Sequence, residues 1–191
     1  RENKLDIGPK LWYNRRMNIF VLSKYPRLAA EMHCDKHCVK MILETAQMLS
    51  TAHRFYDTPQ AENVYKQAHL NHPCTKWVRE SGANYRWAWT LYHELLVEFR
   101  KRRGKHHKSG ELRHDLAHTP HGMPEIGLTP FAQAMPDEYK REDVVEAYRA
   151  YYMGDKAAIA EWNWGTPAPD WFQISPRKGL QSAPNYGIIG A

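Results

Sequence analysis

His33-Cys34-Asp35-Lys36-His37-Cys38-Val39-Lys40-Met41-Ile42-Leu43-Glu44-Thr45-Ala46-Gln47-Met48-Leu49 is the stretch on which the fold turns. It is too long for a strand and has no alternation. Wound at about 100° per residue, it puts Cys38, Val39, Met41, Ile42, Ala46, Met48 and Leu49 on one broad apolar side. His33, His37, Lys40, Glu44, Gln47 and Thr51 then share a stripe roughly 80° wide at the border of that side. An amphipathic helix with a buried face follows, and with it a mainly α protein.

The flanks agree. Asn18-Ile19-Phe20-Val21-Leu22 is β-branched and aromatic and reads as one short N-terminal strand. Pro26 can open a helix, and the pattern from Arg27 to about Arg54 is helical, broken near Cys34-Asp35, where Asp35 could cap a second helix. Asp57-Thr58-Pro59-Gln60 is a turn opening a short helix over 61–69. Asn71-His72-Pro73 starts another helix over 74–80, and Ser81-Gly82 is a joint before a long helix from about 84 to 103, which Gly104 ends. Residues 105–118 suggest one more short helix, and the proline-rich 119–137 an ordered loop or lid. Helices resume at about 138–153 and 155–162, and Asp170-Trp171-Phe172 could dock back on the body. The expectation is a compact single-domain helical fold over 17–174 with at most one short N-terminal strand. Residues 1–16, which precede the first Met, are expected to be a non-native or disordered extension, and 175–191 a flexible tail.

Composition narrows the partners. The chain has 191 residues, a formal charge of +6, seven Trp and eleven Tyr. The basic balance favours an anionic partner, with nucleic acid first and DNA ahead of RNA. Three cysteines, Cys34, Cys38 and Cys74, make no disulfide framework and suggest a reducing, cytoplasmic setting. No run of about 18 apolar residues is present, so no membrane span is expected. Nothing in the sequence implies a cofactor, and the oligomeric state is not legible.

Three segments could carry chemistry. On the helical stripe, Lys40 has His37 and Glu44 one turn away. These are the groups needed for acid–base or Schiff-base chemistry: an amine, a carboxylate and a neighbour that shifts a proton. The same residues also read as an ordinary Lys40–Glu44 ion pair on a polar face. His33 and His37 have the spacing to share a metal, with Cys34 or Glu44 added, but no second Cys/His pair follows and no metal is assigned. His72, held extended before Pro73, either starts a helix or faces a pocket from its end. The dense run Arg100-Lys101-Arg102-Arg103-Gly104-Lys105-His106-His107-Lys108 suits phosphate contacts, through Arg100, Arg102, Arg103, Lys105 and Lys108, or else a solvated helix end. Thr129-Pro130-Phe131-Ala132-Gln133-Ala134-Met135-Pro136 either plugs the core with Phe131 and Met135 or covers a ligand.

Over residues 17–108 this layout resembles the pyrimidine-dimer DNA glycosylase family. The points of likeness are the apolar run at Met17, the His-rich helix from His33 to Glu44, His72-Pro73 with Trp77, the Leu-rich helix to Glu98, and Arg103-Gly104. Cys34–Met41 and Thr129–Pro136 also resemble phage proteins to which no activity is attached. The glycosylase resemblance implies a compact helical fold that attacks the sugar carbon with an N-terminal α-amine beside a helix carboxylate. This sequence departs from it in two ways: sixteen residues precede Met17, and the position nearest the family carboxylate falls around His37 or Cys38, not on Glu44.

The expectation is therefore a DNA-acting, base-processing or repair protein of glycosylase or lyase type. Lys40 would be nucleophile or acid, with Glu44, His37 and His72 as partners. The alternatives are a non-catalytic nucleic-acid-binding accessory protein, which would need only the 100–108 segment, and an enzyme on nucleotides or other small phosphorylated substrates.

Overall fold

The computed structural model describes residues 17–172. The readings made for 1–16 and for the tail from 175 onward lie outside the described residues. Five α-helices carry the fold: α1 (Pro26–Met32), α2 (Asp35–Phe55), α3 (Pro73–Glu80), α4 (Gly82–Arg103) and α5 (Val144–Met153). α2 packs along α4, α1 lies on α4, and α3 closes on both. One apolar cluster runs through all of them and centres on Met41, Ile42, Leu49, Tyr85, Leu91, Tyr92, Leu95, Tyr148 and Tyr152.

The residues at the helix ends explain why they fall where they do. His33 and Cys34 are extended, which separates α1 from α2. The break is fastened from outside by Arg102, whose guanidinium donates to Glu31 O, His33 O, the Asp35 carboxylate and the Glu98 carboxylate. Asp35 is not the cap expected of it. It is the first residue of α2, and its second oxygen accepts the backbone N–H groups of Asn163 and Trp164. His72 caps α3 by accepting from Cys74 N at 3.2 Å, and Ser81 caps α4 by accepting from Asn84 N at 3.1 Å. Gly104, at φ +63°, ends α4 in the left-handed conformation that a side chain would disfavour.

Residues 17–22 are buried, but among the described residues they form no strand, and the chain turns at Leu22, whose N–H donates to Phe20 O at 2.9 Å. Instead their polar groups are met by side chains and loops. Asn18 N donates to Glu44 Oε2 at 3.0 Å, Asn18 Nδ2 to Ala134 O at 2.8 Å, and Arg149 Nε to Leu22 O at 3.1 Å. The helix expected over 61–69 is only a 3₁₀ turn, Pro59–Asn63. Beyond it Arg54 takes the carbonyls of Val64 and Tyr65, and Thr51 bonds the backbone of Ala68, so the chain stays extended. Residues 105–118 likewise form two 3₁₀ turns, Lys108–Arg113 and Asp115–Ala117. α5 starts at Val144, later than the sequence suggests, because Asp143 caps it by accepting from Val145 N at 2.7 Å. The stretch expected to be helical over 155–162 contains one 3₁₀ turn, Ala157–Ile159.

The 119–137 loop is fixed on the body. Asn84 holds Thr129 through both its amide oxygen and nitrogen, at 2.9 and 2.7 Å. Phe131 stacks on Trp77 and meets Trp87 edge-on, and Met135 is buried. Trp171 docks back as expected, against Tyr152 and Met32, with Arg149 over its ring.

Candidate active cleft and basic end

A cleft of about 1050 Å³ opens between α2 and residues 133–140. α2 supplies Lys36, His37, Lys40 and Met41. The 17–22 run supplies Asn18 and Phe20, and the start of α3 supplies His72 and Pro73. The opposite wall is Gln133 to Lys140, closed by Tyr151, Lys156 and Ile159. Phe131 and Met135 plug the core, and Gln133, Ala134, Met135 and Pro136 line the cleft. A volume of this size accommodates a nucleotide-sized ligand.

Of the four residues expected to act together, three line this cleft: His37, Lys40 and His72. The fourth, Glu44, stands one turn behind Lys40. Lys40 Nζ is 3.1 Å from Glu44 Oε1. The lysine is half exposed, but Glu44 is buried, at 8% exposure. Burial raises the Glu44 carboxyl above its ordinary range, and Lys40 and the Asn18 N–H pull against that rise.

His37 is packed rather than solvated. Its ring stacks on Phe20 at 4.5 Å, and Nδ1 is 2.7 Å from the Tyr152 hydroxyl. Burial holds it well below the usual histidine value, helped by its coupling to His33 and by the positive charge of Lys156, Lys40 and Lys36. His33 leaves the stripe altogether. It precedes the first turn of α2, so helical geometry does not apply to it, and its Nδ1 lies 2.6 Å from Ala29 O inside α1. His33 and His37 have separate partners, and among the described residues no group of three or more His, Cys, Asp or Glu is arranged to hold a metal ion.

The cleft also holds two residues that the sequence reading passed over. Asn18 had a visible signal, a lone amide in an apolar run. Its carboxamide oxygen lies within reach of Ile19 N, Tyr148 Oη and Cys74 Sγ, which ties the first described residues to α3 and α5. Lys156 had none. It sits between Asp155 and two alanines, and only the fold carries it to α2.

The basic end of α4 is divided by the structure. Arg100, Arg103, Lys105 and Lys108 are exposed. Arg102 is not: its side chain is fully buried, 3.1 Å from both Glu98 and Asp35. The expected phosphate contact by Arg102 is therefore corrected, because its guanidinium faces inward and all its donors that matter are engaged. Arg103 lies over the Trp164 ring at 4.3 Å. A shallow groove of about 440 Å³ runs from Trp164 past Asn163 and Asp35 to Lys36, Lys40 and Ile159, which it shares with the main cleft. No described helix is long and apolar enough to cross a membrane.

Residues 17–111 match the family model for the pyrimidine dimer DNA glycosylases. The match covers α1 to α4, just under half of the 191-residue chain, and stops before the far wall of the cleft. No curated protein and no solved structure matches the chain. The carboxylate bonded to the Asn18 backbone N–H is that of Glu44. Cys38 is buried, and burial pushes its thiol up to about 12.

Proposed function

We propose that the protein processes damaged bases in DNA as a glycosylase or lyase, and that its chemistry occurs in the cleft between α2 and residues 133–140. The observation that carries this reading is the Lys40–Glu44 pair: a carboxylate kept from water by burial, facing a lysine inside a cleft of nucleotide size. The family likeness of residues 17–111 supports DNA as the substrate. A base in a duplex cannot reach such a cleft while stacked, so the target nucleotide is taken out of the helix or met in unpaired strand. Lys40 then serves as proton donor to the departing group, and Glu44, with its raised carboxyl, as the acceptor that returns the proton. His37 and His72 shape the cleft wall against which the nucleotide lies.

The test uses Lys40→Met and Glu44→Gln, both close in volume to the original. On duplexes containing cyclobutane dimers or abasic sites, each should lower turnover by about 100-fold or more. Stability should move by only about 1 kcal/mol. Full activity in both variants would remove the pair from the chemistry.

A second reading is favoured by the 3.0 Å contact between Asn18 N and Glu44. In a polypeptide processed to begin at Asn18, that nitrogen would be a free α-amine already bonded to a carboxylate. The resemblance implies that arrangement. In this second reading the α-amine bonds to the sugar carbon, whereas in the first Lys40 only transfers a proton, and trapping a covalent adduct on the α-amine separates them.

A further inference from the structure

We propose that His69 forms a phosphate-binding point at the mouth of this cleft. The ligand's identity rests on the DNA reading above, on which the phosphate is the phosphodiester beside the target nucleotide. His69 is then a positioning residue: it holds the strand and takes no part in bond breaking.

The backbone at His69 is strained. Its φ is +47°, in the left-handed region that a side chain disfavours. Among the described residues other than glycine, only Asp57 shares a positive φ, at +51°. Asp57 follows the last turn of α2, where a left-handed residue is a usual way to end a helix. His69 ends no helix. The turn after it is closed by His72 N donating to His69 O at 2.9 Å, so its central residues are Leu70 and Asn71, and it makes no demand on the φ of His69. The conformation is imposed from both sides. Ala68 N donates to Thr51 Oγ1 at 3.0 Å, and Arg79 Nη1 donates to Leu70 O at 2.6 Å. Glycine would meet this backbone at less cost, which leaves the ring itself as the reason for a histidine here.

That ring is unpartnered and placed at the site. His69 is exposed and lines the cleft. Among the described residues it has no hydrogen-bond or ion-pair partner, whereas His37 is bonded to Tyr152 and His72 to Cys74 N. His69 is also one of the groups that pull the Glu44 carboxyl down, which sets it toward the Glu44 end of the α2 wall. Lys36, which has no ion pair among the described residues, lines the cleft from the start of the same helix. Lys36 and Glu44 stand about 12 Å apart along the axis of α2. A nucleotide within a strand has a phosphate on each side of its sugar. With Lys36 meeting one and His69 the other, the strand spans the mouth and the target lies between them. An imidazole N–H is a fitting donor to a phosphate oxygen. Two of the neighbouring carboxylates are already engaged, Glu44 by Lys40 and Asn18 N, and Asp137 by Lys140.

The experiment measures binding of the full chain to a duplex with one abasic site. It is repeated with each phosphate flanking that site replaced, one at a time, by an uncharged methylphosphonate. Wild-type affinity should fall by about 10-fold at the contacted linkage, the scale of one charge-assisted hydrogen bond. His69→Gly should bind the unmodified duplex about 10-fold more weakly, and the methylphosphonate at that linkage should then cost it nothing further, because both changes remove the same contact. The melting temperature of His69→Gly should be retained or raised, since glycine accommodates the left-handed backbone. Equal methylphosphonate penalties in wild type and variant at every linkage overturn the assignment and leave the DNA reading standing. A lowered melting temperature also overturns it, because the ring then serves the fold. If the wild type binds no duplex, the DNA reading fails, and a free deoxynucleoside monophosphate decides the phosphate point. Binding of that nucleotide weakened by His69→Gly supports the point; binding unchanged by the substitution, or absent, overturns it.

Discussion

The end of α4 gathers Arg100, Lys101, Arg102, Arg103, Lys105 and Lys108 into one short run, whereas the cleft draws Lys36, Lys40, Lys140 and Lys156 from three separate parts of the chain. In the sequence the first group is conspicuous and the second is scattered. In the fold their weight is partly exchanged. The central member of the dense run, Arg102, is interior and structural. Two of the scattered lysines, Lys40 and Lys156, line one cleft, and a buried carboxylate, Glu44, stands one turn behind Lys40. Cationic density along a chain therefore reports how a helix ends more than where a ligand sits. What marks the cleft is that burial has been imposed on groups that would otherwise be solvated.

Arg102 offers the strongest way to break this contrast. Its guanidinium has no exposed side-chain surface and is the only cation within 4.0 Å of Asp35 among the described residues, while Glu98 also has Lys101 at 3.2 Å. Removing it strands buried negative charge and two backbone carbonyl partners at the α1–α2 break. Arg102→Met should cost about 3–5 kcal/mol of folding free energy, as for other broken buried pairs. Arg103→Met, one residue on and exposed, should stay within about 0.5 kcal/mol. Denaturant titration reads both. Equal losses would mean that the end of α4 behaves as one solvated cluster.

The same distinction shows what the sequence could and could not yield. α2 was readable because its apolar positions repeat at helical spacing, and α3 and α4 because His72-Pro73, Ser81 and Gly104 punctuate them. The grouping of His37, Lys40 and Glu44 was readable for the same local reason. Arg102 was misread because a helical wheel cannot tell which cation in a run faces inward when its partners, Asp35 and the carbonyls of Glu31 and His33, lie about seventy positions away. The strand at 18–22 was right only in its burial, which the apolar run encodes locally; a ladder needs a second strand, and helices and side chains supply the contacts instead. Lys156 was unreadable, since neither its neighbours nor its spacing differ from those of a surface lysine.

Histidines sharpen the contrast between interior and exposed basic groups. Burial lowers both His33 and His53 to about 4. His53 sits in a closed network, with Nδ1 2.7 Å from Thr58 Oγ1 and Nε2 2.8 Å from a Tyr85 hydroxyl that donates onward to Leu116 O. Both rings are neutral in the fold and become protonated in the unfolded chain near pH 6.5. Between those two values the unfolded state binds more protons, so stability is intact above pH 6.5 and falls as the pH drops toward 4. Each ring contributes a slope of about 1.4 kcal/mol per pH unit. Glu44 acts in the opposite sense, because burial raises its carboxyl and acid relieves it. Unfolding free energies measured from pH 8 to pH 4 should show the decline, and His53→Gln should remove about one proton's share of it. A flat wild-type profile would contradict the burial of these rings.

The smallest expected effect concerns the exposed cations themselves. With Arg102 withdrawn, the basic end presents Arg100, Arg103, Lys105 and Lys108, and the groove from Trp164 to Lys36 joins it to the cleft. A DNA strand lying in that groove with its target nucleotide in the cleft would pass Arg103 first and Lys36 second. Each phosphate neutralised releases condensed counterions, and the slope of log affinity against log salt changes by about 0.9 per contact. Arg103→Ala with Lys105→Ala should therefore flatten the slope by up to about 2, and Lys36→Ala with Lys140→Ala by a similar amount. Lys140 already has Asp137 at 2.6 Å, so its share should be the lesser of that pair. Combining all four changes should add the two reductions if one strand bridges both regions, because the sites are separate and share no partner. A slope altered only by the Lys36 and Lys140 changes would confine DNA to the cleft, and would leave the exposed arginines and lysines of α4 as a solvated helix end.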